Sequence, residues 1–428
     1  MFVTFDIGAP PGLQAGDLRL LDNRQPEPIL YLHPNPQPAV TAVVFNLSYA
    51  GVKSVEWNET VRTLQQFETT GYLYFYVLTN QGALLPVHGL PEGDAASPAP
   101  NASWVEKNLP PLEGPLSLES TQGRSRMSDT APYRELAGRL AAFPGRKSIV
   151  CIGCLFATSS DWDRAGSTVS ELSDALLDAR VAVYVLGGRP PSGRIGDGNA
   201  EGGAMPGGPF VSAEQIGAFA DITGGRAYTS GEIHYAIAQA LADSKSTYRV
   251  AYLPPPRNWD GKRHKVALSA TRGKAPLLAP RWYLAGRWED VTREQSSPIP
   301  DAAIASPFEQ SDLAVSVSAP QRRDKLLRVE LRLDAAGLLL LPRDGRYSGS
   351  LALQALCYTA AEIPEACTEP MLVKLDLNEQ EHAAALRGGL RFPLDIPMTA
   401  APSKVRVVAC DESTRACGTA TFPLAGER

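Results

Sequence analysis

Histidine is scarce in this chain, charge of one sign does not dominate and no long apolar run occurs; each lack removes a class of function. Five histidines (His33, His88, His234, His264 and His382) are spread over unrelated segments of a 428-residue sequence. They show no HExxH or other paired-ligand spacing, so a zinc hydrolase has no support. No Gly-x-Ser-x-Gly elbow offers a serine nucleophile. The formal net charge of −5 is too small to attract nucleic acid or an anionic membrane through bulk electrostatics. No run approaches the roughly 20 apolar residues of a membrane helix. Met1–Asp6 lack the basic start and long apolar centre of a signal peptide, which taken alone reads as cytoplasmic.

What is there is ordinary globular composition, with 44% hydrophobic and 20% charged residues. The length exceeds one hydrophobic core and suggests about three domains. Cys357 and Cys367 bracket a turn-like stretch, and Cys410 and Cys417 bracket another between two strand-like runs. Two local pairs of this kind read as hairpin-stapling disulfides of an oxidising compartment, against the alternative of four buried thiols in a reduced one.

Three strings organise the middle of the chain: Pro144–Val150, Asp178–Leu186 and Ile222–Tyr228. Each places a helix end or tight turn before a short, continuous apolar run, the pattern of strands buried on both faces and separated by helices. Strands are predicted at 42–47, 72–78, 148–152 and 181–186. Helices are predicted at 54–68, from Pro132 to about 143, at 166–179, behind the Ser212/Gln215 capping box, and around 232–243. The resulting fold class is α/β, a doubly wound parallel sheet over residues 38–245. Residues 1–37 are β-rich, and 248–253 with 265–270 read as a hairpin closed by Asn258–Gly261. Residues 1–37 with 246–290 are therefore expected to form a β-rich flanking sandwich into which the α/β unit is inserted. A linker at 291–310 precedes 311–428, where short alternating strands with no strong helical stripe suggest an immunoglobulin-like sandwich.

These three strings, with Leu13–Asn23, the 248–270 stretch, Arg281–Ala285 and the 405–423 strands, resemble the von Willebrand factor A domain, in its VWFA-related form described from acidobacteria. The resemblance covers residues 13–290 well and the remainder loosely. It implies a Rossmann-like fold, a binding module rather than an enzyme, and an exported protein whose leader was removed or lies upstream of Met1. In that family a Mg²⁺ site uses Asp-x-Ser-x-Ser, a loop threonine and a later aspartate. Here the corresponding string is Asn46-Leu47-Ser48-Tyr49-Ala50, and Gly153-Cys154 follows the strand ending at Ile152. An amide replaces the carboxylate, a hydroxyl is lost and a thiol stands where a hard cation wants oxygen. The metal-ion-dependent adhesion site is thus read as degenerate, with no metal and no cofactor expected.

The chain is accordingly expected to be a non-catalytic binding or scaffold protein, secreted or of the periplasm and cell envelope. It would recognise a protein or cell-surface ligand through the loop crest at the carboxyl end of the sheet, with Asn46, Ser48, Tyr49, Ser128 and Thr130 as candidate ligand-binding residues. Two alternatives stand beside this. One is a thiol-disulfide redox protein using Cys151 and Cys154, although Cys151 falls inside a predicted buried strand. The other is a metal-dependent adhesin in which Ser48, Ser128 and Thr130 are joined by Asp161 or Asp163. The Gly187–Gly208 stretch is too long and Pro-interrupted for a phosphate loop and reads as a surface loop.

Overall fold

In the computed structural model, the described residues are 2–35, 39–46, 54–66, 72–79, 82–88, 130–153, 168–186, 217, 220–228, 233–271, 276–286, 298–306, 308–318, 320–323, 325–359, 364–398 and 402–424. Among them, 48% lie in strands and 24% in helices. Five sheets are present among the described residues.

The first is a six-stranded mixed sheet of β5 (Val40–Asn46), β6 (Tyr72–Leu78), β7 (Leu84–His88), β8 (Lys147–Ile152), β9 (Val181–Leu186) and β10 (Arg226–Tyr228). Its order is β10-β9-β8-β5-β6-β7, parallel except for the antiparallel edge strand β7. Helices α2 (Ala131–Leu140) and α3 (Thr168–Asp178) cover one face through Leu136, Leu140, Leu172 and Leu176. Helices α1 (Ser54–Gln66) and α4 (Ile233–Ser244) cover the other through Val61, Leu64, Ile233 and Ile237. Gly225 leads into β10 because a Cβ there would stand 1.9 Å from the Val183 carbonyl oxygen.

The other four sheets are antiparallel. β1 (Val3–Gly8), β11 (Thr247–Tyr252) and β4 (Ile29–Pro34) form a three-stranded sheet in the order β1-β11-β4. β13 (Trp282–Leu284), β12 (Arg263–Ala270), β2 (Leu18–Asp22) and β3 (Gln25–Glu27) form a second layer in that order. The two layers bury Phe5, Ile7, Leu20, Val250, Tyr252 and Val266 between them. The tight β2–β3 turn holds Asn23 and Arg24 at φ 48° and 70°.

The C-terminal part packs two sheets face to face. One contains β14 (Val315–Val317), β15 (Gln321–Arg323), β16 (Leu326–Leu333) and β21 (Leu390–Pro397). The other contains β17 (Leu341–Arg343), β18 (Arg346–Tyr358), β19 (Pro364–Ala366), β20 (Met371–Asn378), β22 (Lys404–Asp411) and β23 (Cys417–Pro423). Strict alternation on β16 buries Leu327, Val329, Leu331 and Leu333 against Leu351, Leu353, Val405 and Val407. A short α5 (Asp301–Ala305) precedes this sandwich. Disulfides Cys357–Cys367 and Cys410–Cys417 are both present, the second joining directly opposed residues of β22 and β23.

Three expectations are corrected. The chain is predominantly β, not an α/β doubly wound protein of the Rossmann-like von Willebrand type: the mixed sheet holds six of the 23 strands found among the described residues. Continuous apolar runs such as Val181–Leu186 are conspicuous in a sequence, whereas half-buried strands alternate with polar residues and are easily under-weighted. Second, β11 and β12 do not form a hairpin; they lie in different sheets. Pro254, Pro255 and Pro256 intervene, and proline cannot donate to a ladder, so the chain leaves one layer for the other. Third, the C-terminal sandwich does contain a helix, α6 (Glu379–Gly388). Asn378 caps it, accepting from the Glu381 N–H at 2.9 Å while the Glu381 carboxylate accepts from the Asn378 N–H at 2.8 Å. Gly389 ends it at φ 72°.

Candidate functional site

The densest set of buried charge lies where the mixed sheet, the β1-β11-β4 sheet and the segment leading into the C-terminal sandwich meet. Asp6 on β1 and Arg249 on β11 are directly opposed cross-strand partners. Their neighbours Phe5, Ile7 and Val250 fill the apolar layer on one face, so alternation turns Asp6 and Arg249 to the other. Arg249 Nε donates to Asp6 Oδ1 at 3.3 Å, and its Nη2 stands 2.7 Å from Asp312 Oδ2. Arg180 lies between both carboxylates, 3.6 Å from Asp6 and 3.4 Å from Asp312. It sits in a left-handed turn (φ 55°) between α3 and β9. The Gly145 N–H donates to Asp312 Oδ1 at 3.0 Å, and buried Lys147 donates to the Phe143 carbonyl at 3.1 Å.

Burial pushes the Asp6 carboxyl upward, against the pull of Arg249. Burial also lowers Lys147 to about 8, although Asp6 and Asp312 favour its charge. Burial works against the Arg249 charge as well, but Asp312 and Asp6 outweigh it and the net shift is upward. Two carboxylates and two guanidiniums thus offset one another's charge, three of them buried and Arg180 23% exposed. Such a cluster is costly to break one member at a time, whatever its net worth. Apolar and polar contacts continue the seam. Phe308 stacks on Phe143 with ring centroids 3.9 Å apart, Gln310 donates to the Ala142 carbonyl at 2.9 Å, and Tyr31 donates to the Gly337 carbonyl at 2.9 Å.

Over this seam opens a cleft of about 500 Å³, lined among others by Thr4, Asp6, Arg146, Arg180, Trp259 and Trp282. Two of its features bear on recognition. β1 is an edge strand, and Gly8 exchanges both backbone hydrogen bonds with Leu278 at 2.9 Å on the side away from β11. By the two-residue repeat of an antiparallel ladder, the N–H and C=O groups of Thr4 and Asp6 point to that same side. The second feature is Arg146, which is 5% exposed and donates to the Gly224 carbonyl. No carboxylate among the described residues lies within salt-bridge reach of it. Its Nη1 lies over Gly8, where a Cβ would come within 2.5 Å and the guanidinium would have to shift. Among the described residues, the outward groups of Thr4 and Asp6 thus meet no further strand and the Arg146 guanidinium meets no carboxylate.

A second polar cluster is structural. Asp22 Oδ2 accepts from Tyr283 at 2.8 Å, Asn258 at 2.9 Å and Tyr252 at 3.0 Å, tying β2 to β11 and β13. His264 stacks on Tyr283 with centroids 5.4 Å apart and contacts Asn23 and Asp260.

Of the residues predicted for the crest, Asn46 ends β5 and Thr130 precedes α2, both buried. Ser48, Tyr49 and Ser128 lie outside the described residues, as do Cys154, Asp161 and Asp163. Cys151 is fully buried and disulfide-bonded, and its sulfur lies 3.3 Å from the Tyr133 hydroxyl. Among the described residues, no group of three or more His, Cys, Asp or Glu could hold a metal, and no helix is long and apolar enough to cross a membrane. Sequence reasoning missed Asp6, Arg146, Arg180, Arg249 and Asp312. The available signal was a single charge inside an otherwise apolar strand, as in Thr247–Tyr252 around Arg249.

No protein-family model matches the chain, and no curated protein matches it. A hypothetical protein, PH1083, from Pyrococcus horikoshii OT3 is similar at 13% identity over 26% of this chain and 88% of that one, with a TM-score of 0.16. A DUF3823 family protein from Bacteroides ovatus ATCC 8483 is similar at 9% identity over 42% of this chain and 80% of that one, with a TM-score of 0.18. Likenesses this distant assign neither a family nor an activity.

Proposed function

We propose that the chain is a non-catalytic binding protein of an oxidising compartment, secreted or periplasmic, which takes an extended, acid-bearing polypeptide segment into the junction cleft. One observation carries the reading: the outward N–H and C=O groups of Thr4 and Asp6 lie in the same cleft as Arg146, a buried guanidinium with no carboxylate partner among the described residues. Strand addition supplies affinity through main-chain hydrogen bonds, and the side-chain wall supplies selectivity. Here that wall offers Trp259 and Trp282 for apolar contact and Arg146 for a carboxylate. The reactive groups nearby are engaged in holding the fold: Asp6 and Asp312 by arginines, Asp22 by three donors, Cys151 in a disulfide. The two hairpin disulfides favour an oxidising address.

The test is a fluorescence titration of the full chain with extended peptides in which Asp, Glu and the terminal carboxylate are varied. Acid-bearing peptides should bind, and binding should weaken with salt. Thr4→Pro removes an outward N–H without touching the β11 ladder and should abolish binding, while Arg146→Lys should weaken it. If acidic and neutral peptides bind equally, or if Thr4→Pro binds as the native chain does, the reading fails.

A further inference from the structure

Edge strands of this protein are guarded in a consistent way, with one exception besides β1. Among the described strands of five or more residues, the edges β4, β7, β21 and β23 each carry proline, at Pro34, Pro86, Pro393 with Pro397, and Pro423 respectively. Proline blunts an edge because it offers no N–H to an incoming strand. β20 has none. Among the described strands it pairs with β18 alone, and Met371 and Leu372 on it are 41% and 45% exposed.

The direction of its free groups follows from the ladder. Glu412 N–H donates to the Ser350 carbonyl at 3.1 Å on the β22 side of β18, whereas Cys367 N–H donates to the Ala355 carbonyl at 2.9 Å on the β19/β20 side. Odd-numbered residues of β18 therefore bond toward β20. Their partners, Met371, Val373, Leu375 and Leu377, use their backbone groups on β18. Leu372, Lys374 and Asp376 point theirs outward; the Asp376 carbonyl accepts there from the exposed Arg346 guanidinium at 2.7 Å, which an incoming strand would share or displace.

We propose that β20 pairs with β20 of a second copy of this chain, antiparallel about a two-fold axis at Leu375, to make a symmetric dimer. Charge selects the register. Centring the pair on Lys374 sets Lys374 opposite Lys374, and centring it on Asp376 sets Asp376 opposite Asp376. Between them lies the register centred on Leu375, where Lys374 faces Asp376 of the partner twice over; Asp376 Oδ1 also accepts from Arg346 Nε of its own copy at 2.7 Å, an exposed pair that costs little to rearrange. On the inner face it sets Val373 opposite Leu377 twice and Leu375 opposite itself, so apolar meets apolar. Opposite charges and apolar pairs directly across a ladder favour pairing, and like charges oppose it. A two-fold axis makes the contact self-limiting. The proposal does not depend on the junction cleft.

Sedimentation velocity on the full chain up to about 0.5 mM tests it, a range that reveals even a dissociation constant of order 0.1 mM. The native chain should show concentration-dependent dimers. Lys374→Asp and Asp376→Lys should each weaken self-association about tenfold or more, because each sets two like-charge pairs face to face. An equimolar mixture of the two variants should form a 1:1 dimer, since both acids of one copy then meet both lysines of the other across the axis. Near-UV circular dichroism confirms that both variants are folded, as both side chains are solvent-exposed. The proposal is overturned by a native chain that stays monomeric throughout, by either variant associating as the native chain does, or by a mixture that does not associate.

Discussion

Asp312 is the residue whose removal most directly tests whether the buried charge cluster joins the chain's parts. Its side chain is 3% exposed and meets Arg249 at 2.7 Å and Arg180 at 3.4 Å, while its other oxygen accepts the Gly145 N–H at 3.0 Å. Asp312→Asn keeps the shape and an acceptor for Gly145 but deletes the charge. Arg249, 4% exposed, is then left with Asp6 at 3.3 Å as its remaining anion. Arg249 and Arg180 then share one carboxylate, and breaking a buried pair in this way costs up to about 3–5 kcal/mol. For a cooperative unit of 150–250 residues, that is a drop of about 6–20 °C in melting temperature. A chain with several packed bodies need not melt in one step, so amide exchange in β1 and β11 is measured alongside the melt. Both should become less protected, and the 306–313 segment should become a site of limited proteolysis. The control is Asp395→Asn on the exposed Arg328–Asp395 pair, where side chains 45% and 41% exposed predict little change. If Asp312→Asn behaves as that control does, the cluster does not hold the junction and the reasoning is wrong.

Lys147 makes a pH prediction of opposite sign to the usual alkaline loss. Its folded pKa of about 8 lies below its ordinary 10.5, so between those values the unfolded chain binds more protons and stability rises with pH. The full effect is of order 3 kcal/mol, and urea melts of the native chain and Lys147→Met from pH 7 to 9.5 should converge with slopes that differ; parallel profiles would remove the argument. The hairpin disulfides close loops with sequence separations of 10 and 7 residues, worth about 2–3 kcal/mol each on chain entropy. Replacing both cysteines of each hairpin pair by serine (Cys357/Cys367 and Cys410/Cys417) should therefore lower the C-terminal sandwich's denaturation midpoint while leaving amide protection in β5 and β8 unchanged, and equal loss of protection across both regions would contradict the assignment.

Legibility in the sequence followed the range of the interactions. The helix expected at 54–68 is α1 at Ser54–Gln66, and the strand expected at 181–186 is β9 at Val181–Leu186. The first rests on the 3.6-residue period and the second on a continuous apolar run, both within one segment. The disulfide pairs were legible for the same reason, because each closes a local turn. Class and layering were misjudged where the deciding feature was the sum of many short antiparallel strands. Helix α6 carried its signal in Asn378 and Glu381, a capping box that an alternating neighbourhood obscured. The candidate site was illegible for a different reason. Asp6 and Arg249 are 243 positions apart in sequence, and Asp312 joins them from a third segment. No local pattern marks such a meeting; a charge set inside an apolar strand says that a partner exists without saying which.

The treatment of edges ties the two proposals together. An unpaired strand edge is a hazard that natural sheets suppress, and this chain suppresses most of its longer edges with proline, down to Pro26 and Pro342 in the short strands β3 and β17. Were β1 and β20 open by neglect, the same device would cost little there: Thr4 and Lys374 both point their N–H groups away from the ladder, so proline at either would remove no native hydrogen bond. Their openness is therefore better explained by use. The two also differ in the manner expected of different partners. β1 is sunk in a cleft beside arginine and tryptophan, as the proposed binding of a single acid-bearing chain requires. β20 lies on an outer edge with Lys374 and Asp376 two residues apart, which suits its own copy. A protein with proline at both positions that lost neither peptide binding nor self-association would show that these edges are open without being used.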